Sequence, residues 1–294
     1  MKGDYIAIDW GSTNLRAWLY RDNVEIEHRC SASGITRLGN QTPRQVFDNI
    51  TSGWRESGCP AIMAGMVGSN AGWISVPYLS CPTHLDDLAK HLTPVDGVGW
   101  IVPGLSVNRD DNCNVMRGEE TQLLGAWRTM PASVFIMPGT HSKWVLINGN
   151  TVQDFRTVMT GELHHLLMNH SLIGAGLPDQ LPNESAFNGG LHQGLNETAI
   201  VPRLFEIRAA HVLGTLPREY VGDWVSGILI GAEVAQMKSL YGYGAIEKAT
   251  VIANPALAKR YVIALHQAGI PSEVMDGEHA FQTGIRSIIN ELAN

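Results

Sequence analysis

The sequence predicts an α/β fold made of two related domains. Three observations carry this prediction: a strand–turn–strand–turn–strand unit at the amino terminus, a second copy of that unit in mid-chain, and helix-like runs after each copy. Repetition of a whole supersecondary unit points to duplicated domains rather than one. A chain of 294 residues fits two ordinary domains, because domains usually run to ~100–200 residues.

In the first copy, residues 5–9 read as a strand, 10–14 as a tight turn, 15–20 as a strand, 21–23 as a polar turn and 24–29 as a strand. Runs of β-branched and aromatic residues bounded by Gly, Asn and Asp give this pattern. The second copy reads the same way over 134–137, 138–142, 143–147, 148–150 and 151–158. Gly11 and Gly139 hold corresponding places, each between two strands and each followed by a hydroxyl residue. Between the copies lie a strand at 60–65, a glycine-bearing loop at 66–73, a strand near 100–102 and a helix over 118–129 with Leu123, Leu124 and Trp127 on one face. Helices are expected over 162–172, 203–213 and 218–240, then a strand at 250–253, a helix at 256–268, a strand at 270–275 and a final helix at 279–292. The domains are drawn as 1–131 and 132–294, with the final helix free to pack back on the first domain.

Composition narrows the function. Apolar residues are 44% and charged residues 17% of the chain, a balance that fills real cores. Cys30, Cys59, Cys81 and Cys113 are scattered, with no zinc or disulfide spacing, which fits free thiols in a reducing cytosol. No secretory signal opens the sequence. The most apolar helical stretch, 225–235, is short and contains Glu233, well below the ~20 residues of a membrane span. A cytoplasmic protein is therefore expected, with no membrane or nucleic-acid partner. The net charge of −7 opposes the latter, because nonspecific affinity there comes from Lys and Arg. Pairing into a homodimer stays open.

A glycine turn between strands leaves backbone N–H groups beyond the strand ends, and such donors bind phosphates. One such turn joins strands in many proteins without binding anything; two in register, in duplicated surroundings, point to the phosphates of a nucleotide. Ser12, Thr13, Asn14, Thr140, His141 and Ser142 would add polar groups around Gly11 and Gly139. Asp9, ending the first strand, suits a water-coordinated Mg²⁺. Phosphoryl transfer to an alcohol also needs a carboxylate near the acceptor hydroxyl. Glu119 and Glu120, at the expected helix start, supply two. They could equally serve only to complement the helix dipole.

At these residues the chain resembles the superfamily of actin, hexokinase and sugar kinases, in which two ribonuclease-H-like (actin-like ATPase) domains flank an interdomain cleft. Asp9-Trp10-Gly11-Ser12-Thr13-Asn14 looks like the first phosphate motif and Pro138-Gly139-Thr140-His141-Ser142 like the second. Gly118-Glu119 stands where glycerol-kinase-like members carry a Gly-Asp-Gln segment with the catalytic base, with Glu in place of Asp. Longer segments resemble the 2-dehydro-3-deoxygalactonokinase family over nearly the whole chain: YIAIDWGSTNLRAWL, MAGMVGSN, NVMRGEETQLL, MPGTHSKW, DFRTVMTGELHHLLMNHSLIGAG and HVLGTLPRE. That resemblance implies ATP-dependent phosphorylation of 2-dehydro-3-deoxy-D-galactonate at its 6-hydroxyl in galactonate breakdown, with ATP and Mg²⁺ as cofactors. Ala253-Asn254-Pro255 departs from the paired glycines of the superfamily's adenosine loop, and the added methylene of Glu119 leaves Glu120 as a rival base.

A 2-keto acid carries a carboxylate, which a guanidinium matches with two charge-assisted hydrogen bonds. Arg16, Arg117 and Arg156 lie beside the motifs and are the candidates; each could instead be an ordinary ion pair. Met66, Gly68, Ser69 and Asn70 form a loop suited to sugar hydroxyls. His164, His165 and His170 lack a metal-binding pattern, and Gly227 and Gly231 could admit a nucleotide or simply pack helices. The alternatives are a kinase for another sugar acid such as the C4 epimer 2-dehydro-3-deoxy-D-gluconate, or an actin-like nucleotide-switched binding protein.

Overall fold

The computed structural model describes residues 3–55, 58–197, 199–242 and 246–293. The chain forms two compact units. The first comprises the described residues of Met1–Pro131, Leu146–Phe155 and Met275–Asn294, and the second those of Ala132–Val145 and Arg156–Val274.

The first unit opens with β1 (Tyr5–Trp10), β2 (Leu15–Arg21), β3 (Val24–Ser31), α1 (Pro43–Ile50) and β4 (Ala61–Gly65). It continues through β5 (Leu79–Ser80), β6 (Thr83–His84), α2 (Asp87–Lys90), β7 (Thr93–Val95), β8 (Gly99–Ile101), β9 (Leu105–Arg109), β10 (Asn112–Met116) and α3 (Glu119–Thr129). The main sheet has the order β3-β2-β1-β4-β8-β7. β1 is antiparallel to β2 and parallel to β4, so β1 lies inside the sheet. Its residues Tyr5 to Ile8 are wholly buried, as a strand covered on both faces requires. Asp22 and Asn23 both adopt positive φ between β2 and β3, the conformation a two-residue hairpin of matching twist demands. Ile6, Ile8, Trp10, Phe47, Trp54, Met63 and Ile101 belong to one core cluster. Thr42 and Gln45 form a reciprocal capping box that starts α1, a helix the sequence reading missed.

The second unit holds β11 (Val134–Met137), then β12 (Ser142–Asn148) and β13 (Thr151–Val158), whose far ends run into the first unit. α4 (Thr160–His170), α5 (Glu184–Asn196), α6 (Val201–Val212), α7 (Val221–Tyr241), β14 (Ala249–Ile252), α8 (Pro255–Gln267) and β15 (Ser272–Met275) follow. The chain then returns to the first unit as α9 (Gly277–Ala293). The strands of this unit run β15-β14-β11-β12-β13. Third, second, first, then fourth is also the order of the first sheet, and β11 is parallel to β14 as β1 is to β4. Each unit thus carries the same strand order.

Two stretches differ from a simple cut at 131/132. The β12–β13 turn joins the first unit because Trp127 Nε1 donates to the Gly149 carbonyl at 2.7 Å and Asn112 Nδ2 to the Asp154 carboxylate at 2.7 Å. α9 joins it through glycines: a Cβ on Gly125 of α3 would lie 1.9 Å from the Ala280 carbonyl, and one on Gly284 would lie 2.0 Å from that of Thr121. α5 and α7 approach in the same way within the second unit. A Cβ on Gly227 would meet the Phe187 carbonyl at 2.1 Å, and one on Gly231 that of Leu191 at 2.6 Å. Gly227 and Gly231 therefore serve helix packing.

Candidate active site

In the first unit, Asp9 stands next to the end of β1, directly opposite Arg16 of β2. Arg16 donates to the Asp9 carboxylate at 2.5 Å and to Glu278 of α9 at 3.3 Å. Between the strands, Gly11 N–H donates to the Asn14 carbonyl at 2.9 Å. The carbonyls of Gly11, Ser12 and Thr13 accept from the amides of Ile35, Thr36 and Gly34. That pinning fixes the turn from behind and leaves Ser12, Thr13 and Asn14 exposed. A cavity of about 670 Å³ opens here, lined by Asp9, Gly11, Thr13, Asn14 and Arg16 among others. Arg16 is thus engaged by two carboxylates at the cavity wall.

Gly118 starts α3 with φ +106, and its Cβ position lies 3.2 Å from the Cα of Gly65 at the end of β4. Only glycine accommodates that backbone and that approach together. The two carboxylates that follow differ sharply. Glu120 is wholly buried, its Oε2 accepting from Gly118 N–H at 2.7 Å and its Oε1 from the Thr121 hydroxyl at 3.2 Å. Burial, with the Glu119 charge beside it, pushes its carboxyl up to about 8, against the opposing pull of the Glu120 and Gly118 amides and of Arg117. Glu119 is half-buried and accepts from Arg117 N–H at 3.0 Å.

Arg117 donates through Nη2 to the Val76 carbonyl at 2.6 Å and stacks 4.2 Å above the Tyr78 ring. Its Nε and Nη1 are buried without a hydrogen-bond partner, as is the Ser69 hydroxyl. A Cβ on Gly68 would lie 2.9 Å from Arg117 Nη1, which brings the 66–70 loop onto this guanidinium. Met66 is half-buried, and Asn70 is exposed and accepts from Ser75 at 2.8 Å. Buried polar atoms are normally satisfied, so the orphaned donors of Arg117 and Ser69 set this corner apart.

In the second unit, Gly139, Thr140 and His141 are exposed on the β11–β12 turn. His141 Nε2 lies 2.6 Å from Glu162, whose amide donates to the Thr140 carbonyl at 3.0 Å. A Cβ on Gly161 would sit 2.3 Å from the Gly139 carbonyl, so α4 begins hard against the turn. Ser142 behaves differently from the expected phosphate donor. It is wholly buried, with its hydroxyl 2.8 Å from that of Tyr261. Arg156 is half-buried on β13. A cavity of about 920 Å³ lies in this unit, with Gly139, Thr140 and His141 at its rim and Gln180, Gly222, Asp223 and Arg260 among its walls. Arg260 donates to Asp223 at 2.5 Å, and the same carboxylate caps the backbone of Asn183 at 2.6 Å. Asn254, where glycines were expected, caps α8 by accepting from Leu257 N–H at 3.0 Å, and α8 supplies Leu257, Arg260 and Tyr261 to the cavity.

Among the described residues no group of three or more His, Cys, Asp or Glu could hold a metal ion. His164 is bound to the Gly222 carbonyl at 3.0 Å and His165 to Asn169 at 3.1 Å. No helix among these residues is long and apolar enough to cross a membrane.

Residues 9–288 match the family model for 2-keto-3-deoxy-galactonokinase. The chain belongs to that family. It is 55% identical over all of its length to the 2-dehydro-3-deoxygalactonokinase of Escherichia coli (strain K12), covering that whole protein. A Sinorhizobium meliloti crystal structure named for the same activity superposes with a TM-score of 0.91 at 29% identity, over 98% of this chain and 99% of that one. Component A of the (R)-2-hydroxyglutaryl-CoA dehydratase of Acidaminococcus fermentans, at 12% identity and a TM-score of 0.55 over 98% of this chain and 99% of that one, shares the fold alone. Two sheet-bearing units of actin-like ATPase type are therefore the architecture of this galactonokinase-family chain.

Proposed function

We propose that this chain catalyses ATP-dependent phosphorylation of 2-dehydro-3-deoxy-D-galactonate at its 6-hydroxyl, a step of galactonate breakdown. Family membership and the name of the Escherichia coli relative support the reaction. The observation that carries the site is the contrast at the start of α3, where Glu120 is sealed in the interior while Glu119 reaches the surface.

Glu119 is the base: it takes the proton of the 6-hydroxyl as that oxygen bonds to the γ-phosphorus and ADP leaves. Glu120, kept neutral by burial, spares Glu119 a second adjacent negative charge and holds the Gly118 amide. Gly11, Ser12, Thr13 and Asn14 form an exposed turn with donors of the kind that bind phosphate, and Gly139, Thr140 and His141 form a second such turn. The 920 Å³ cavity beyond Gly139 is the adenosine side, with Asp223 and Arg260 as its fixed polar pair.

Asp9 fits Mg²⁺ held through water, since its carboxylate faces the first cavity and Arg16 fixes its orientation. When bound, the ion screens the charge of the phosphates. Arg117, with Ser69 beside it, binds the substrate carboxylate, and Met66, Gly68 and Asn70 shape the sugar side. Arg16 acts on Asp9 rather than on the sugar, and Arg156 is the remaining candidate for the acid.

The test is ADP release measured with a panel of sugar acids. Release stimulated strongly by 2-dehydro-3-deoxy-D-galactonate supports the proposal. Preference for the C4 epimer would reassign the substrate, and sugar-independent hydrolysis would favour a nucleotide-switched binding protein.

A further inference from the structure

Behind the second turn, Glu233 of α7 lies 2% exposed inside the second unit, a carboxyl that phosphoryl transfer does not require. Its Oε1 accepts from Trp144 Nε1 of β12 at 2.7 Å. Its Oε2 accepts from the Tyr261 hydroxyl of α8 at 2.7 Å and from the Thr160 hydroxyl at the start of α4. Tyr261 has one hydroxyl proton, and with that proton on Glu233 its oxygen accepts from Ser142, 2.8 Å away. One buried carboxyl thereby joins β12, α4, α7 and α8.

Two of these contacts bear on the exposed turn. Ser142 follows His141 in the chain, and Thr160 precedes Gly161, whose backbone abuts the Gly139 carbonyl. Thr160 and Tyr261 also line the large cavity. Burial raises the Glu233 carboxyl above its ordinary range, and the donors from Thr160, Trp144 and Tyr261 act against that. A buried carboxyl with these donors fixes β12, α4 and α8 against α7.

We infer that Glu233 is a positioning residue for nucleotide binding, holding Gly139, Thr140 and His141 in the phosphate-accepting arrangement through Ser142, Tyr261 and Thr160. This rests on the reading of that turn as a phosphate site. The sequence marked Glu233 only as a charge within an apolar helix and did not mark Tyr261, because a Glu in an apolar helix and a Tyr in an amphipathic one show nothing of their contact.

The experiment compares the full-length wild type with Glu233→Gln and Tyr261→Phe. Both changes keep the side-chain shape, and Tyr261→Phe removes only the bridging hydroxyl. Steady-state kinetics with ATP and the sugar acid are read beside calorimetric binding of ADP and a melting curve. Loss of one buried hydrogen-bonded link is worth about tenfold. The expected result is an ATP KM and an ADP Kd each raised about tenfold in both variants, with the sugar-acid KM within about twofold of wild type. The inference is overturned if ADP affinity is unchanged in folded variants, or if both KM values rise together as general loosening would produce. A wild type that binds ADP but phosphorylates no sugar acid would sink the kinase reading and leave the ADP comparison decisive for Glu233. A wild type that binds no ADP would overturn the inference itself.

Discussion

Asp9 and Arg16 occupy opposite positions in the antiparallel β1–β2 pair, and their side chains meet at 2.5 Å. The strand register therefore places a guanidinium against the carboxylate near the end of β1, at the wall of the first cavity. Replacing Asp9 by Asn removes the charge and keeps the shape. The expected outcome is a ~10–100-fold rise in the half-saturating Mg²⁺ concentration, the usual cost of losing an oriented outer partner, read by titrating Mg²⁺ at fixed ATP. An unchanged metal dependence removes Asp9 from this role.

Glu119 and Glu120 should separate cleanly. Glu119→Gln is expected to lower kcat by ~10²–10⁴, the range for a lost acid–base group. Glu120→Gln mimics the protonated side chain that burial enforces and should leave kcat within a few-fold. Steady-state rates of the two variants at one pH decide between them, and the reverse pattern would make Glu120 the base.

The same Glu120 sets a pH dependence of stability. Its folded pKa, about 8, exceeds the ordinary 4.5, so the folded state binds the extra proton between those values. Stability from this group is complete below pH 4.5 and is lost as pH rises towards about 8. Denaturant unfolding of wild type and Glu120→Gln between these limits should show a declining difference curve, with the variant missing this slope. Parallel curves would mean that Glu120 is ionised in the fold.

Arg117 pairs poor stability with a binding role. Arg117→Met removes a guanidinium with two buried unsatisfied nitrogens, so the melting temperature should rise or hold. Charge-assisted hydrogen bonds are worth ~1.5–3 kcal/mol each, so the sugar-acid KM should rise at least tenfold while the ATP KM stays put. A lowered melting temperature with an unchanged sugar-acid KM would make Arg117 purely structural.

Gly125→Ala forces a methyl into the Ala280 carbonyl across α3 and α9. Overpacking of this kind costs ~1–3 kcal/mol or more, measurable by urea unfolding. A neutral result would contradict the close contact of these helices.

Much of the fold was legible because it rests on local rules. The two hairpin units, the turn at Asp22-Asn23 and the start of α3 after Gly118 follow from residue chemistry within a few positions. α5 was not legible, since Gly189, Gly190 and Gly194 depress helix propensity and make sense only against α7. Ser142 looked like a fourth hydroxyl for phosphate beside Ser12, Thr13 and Thr140, and only the fold shows it turned inward to Tyr261. The rivalry of Glu119 and Glu120 was likewise open in sequence, because adjacent helix positions differ in burial by the direction of a core the chain does not announce. A final helix free to pack back on the first domain is legible in the sequence; what the residues do not announce is the contact itself, since the spacing of Gly125 and Gly284 gives no sign of their partner.

The central claim, phosphoryl transfer to a sugar acid, is tested most directly by identifying the product formed from ATP and 2-dehydro-3-deoxy-D-galactonate. Phosphorus NMR with proton coupling should show one new phosphate monoester on C6, formed in equal amount with ADP, and far less product from the C4 epimer. ADP accompanied only by inorganic phosphate, with no sugar ester, would contradict it.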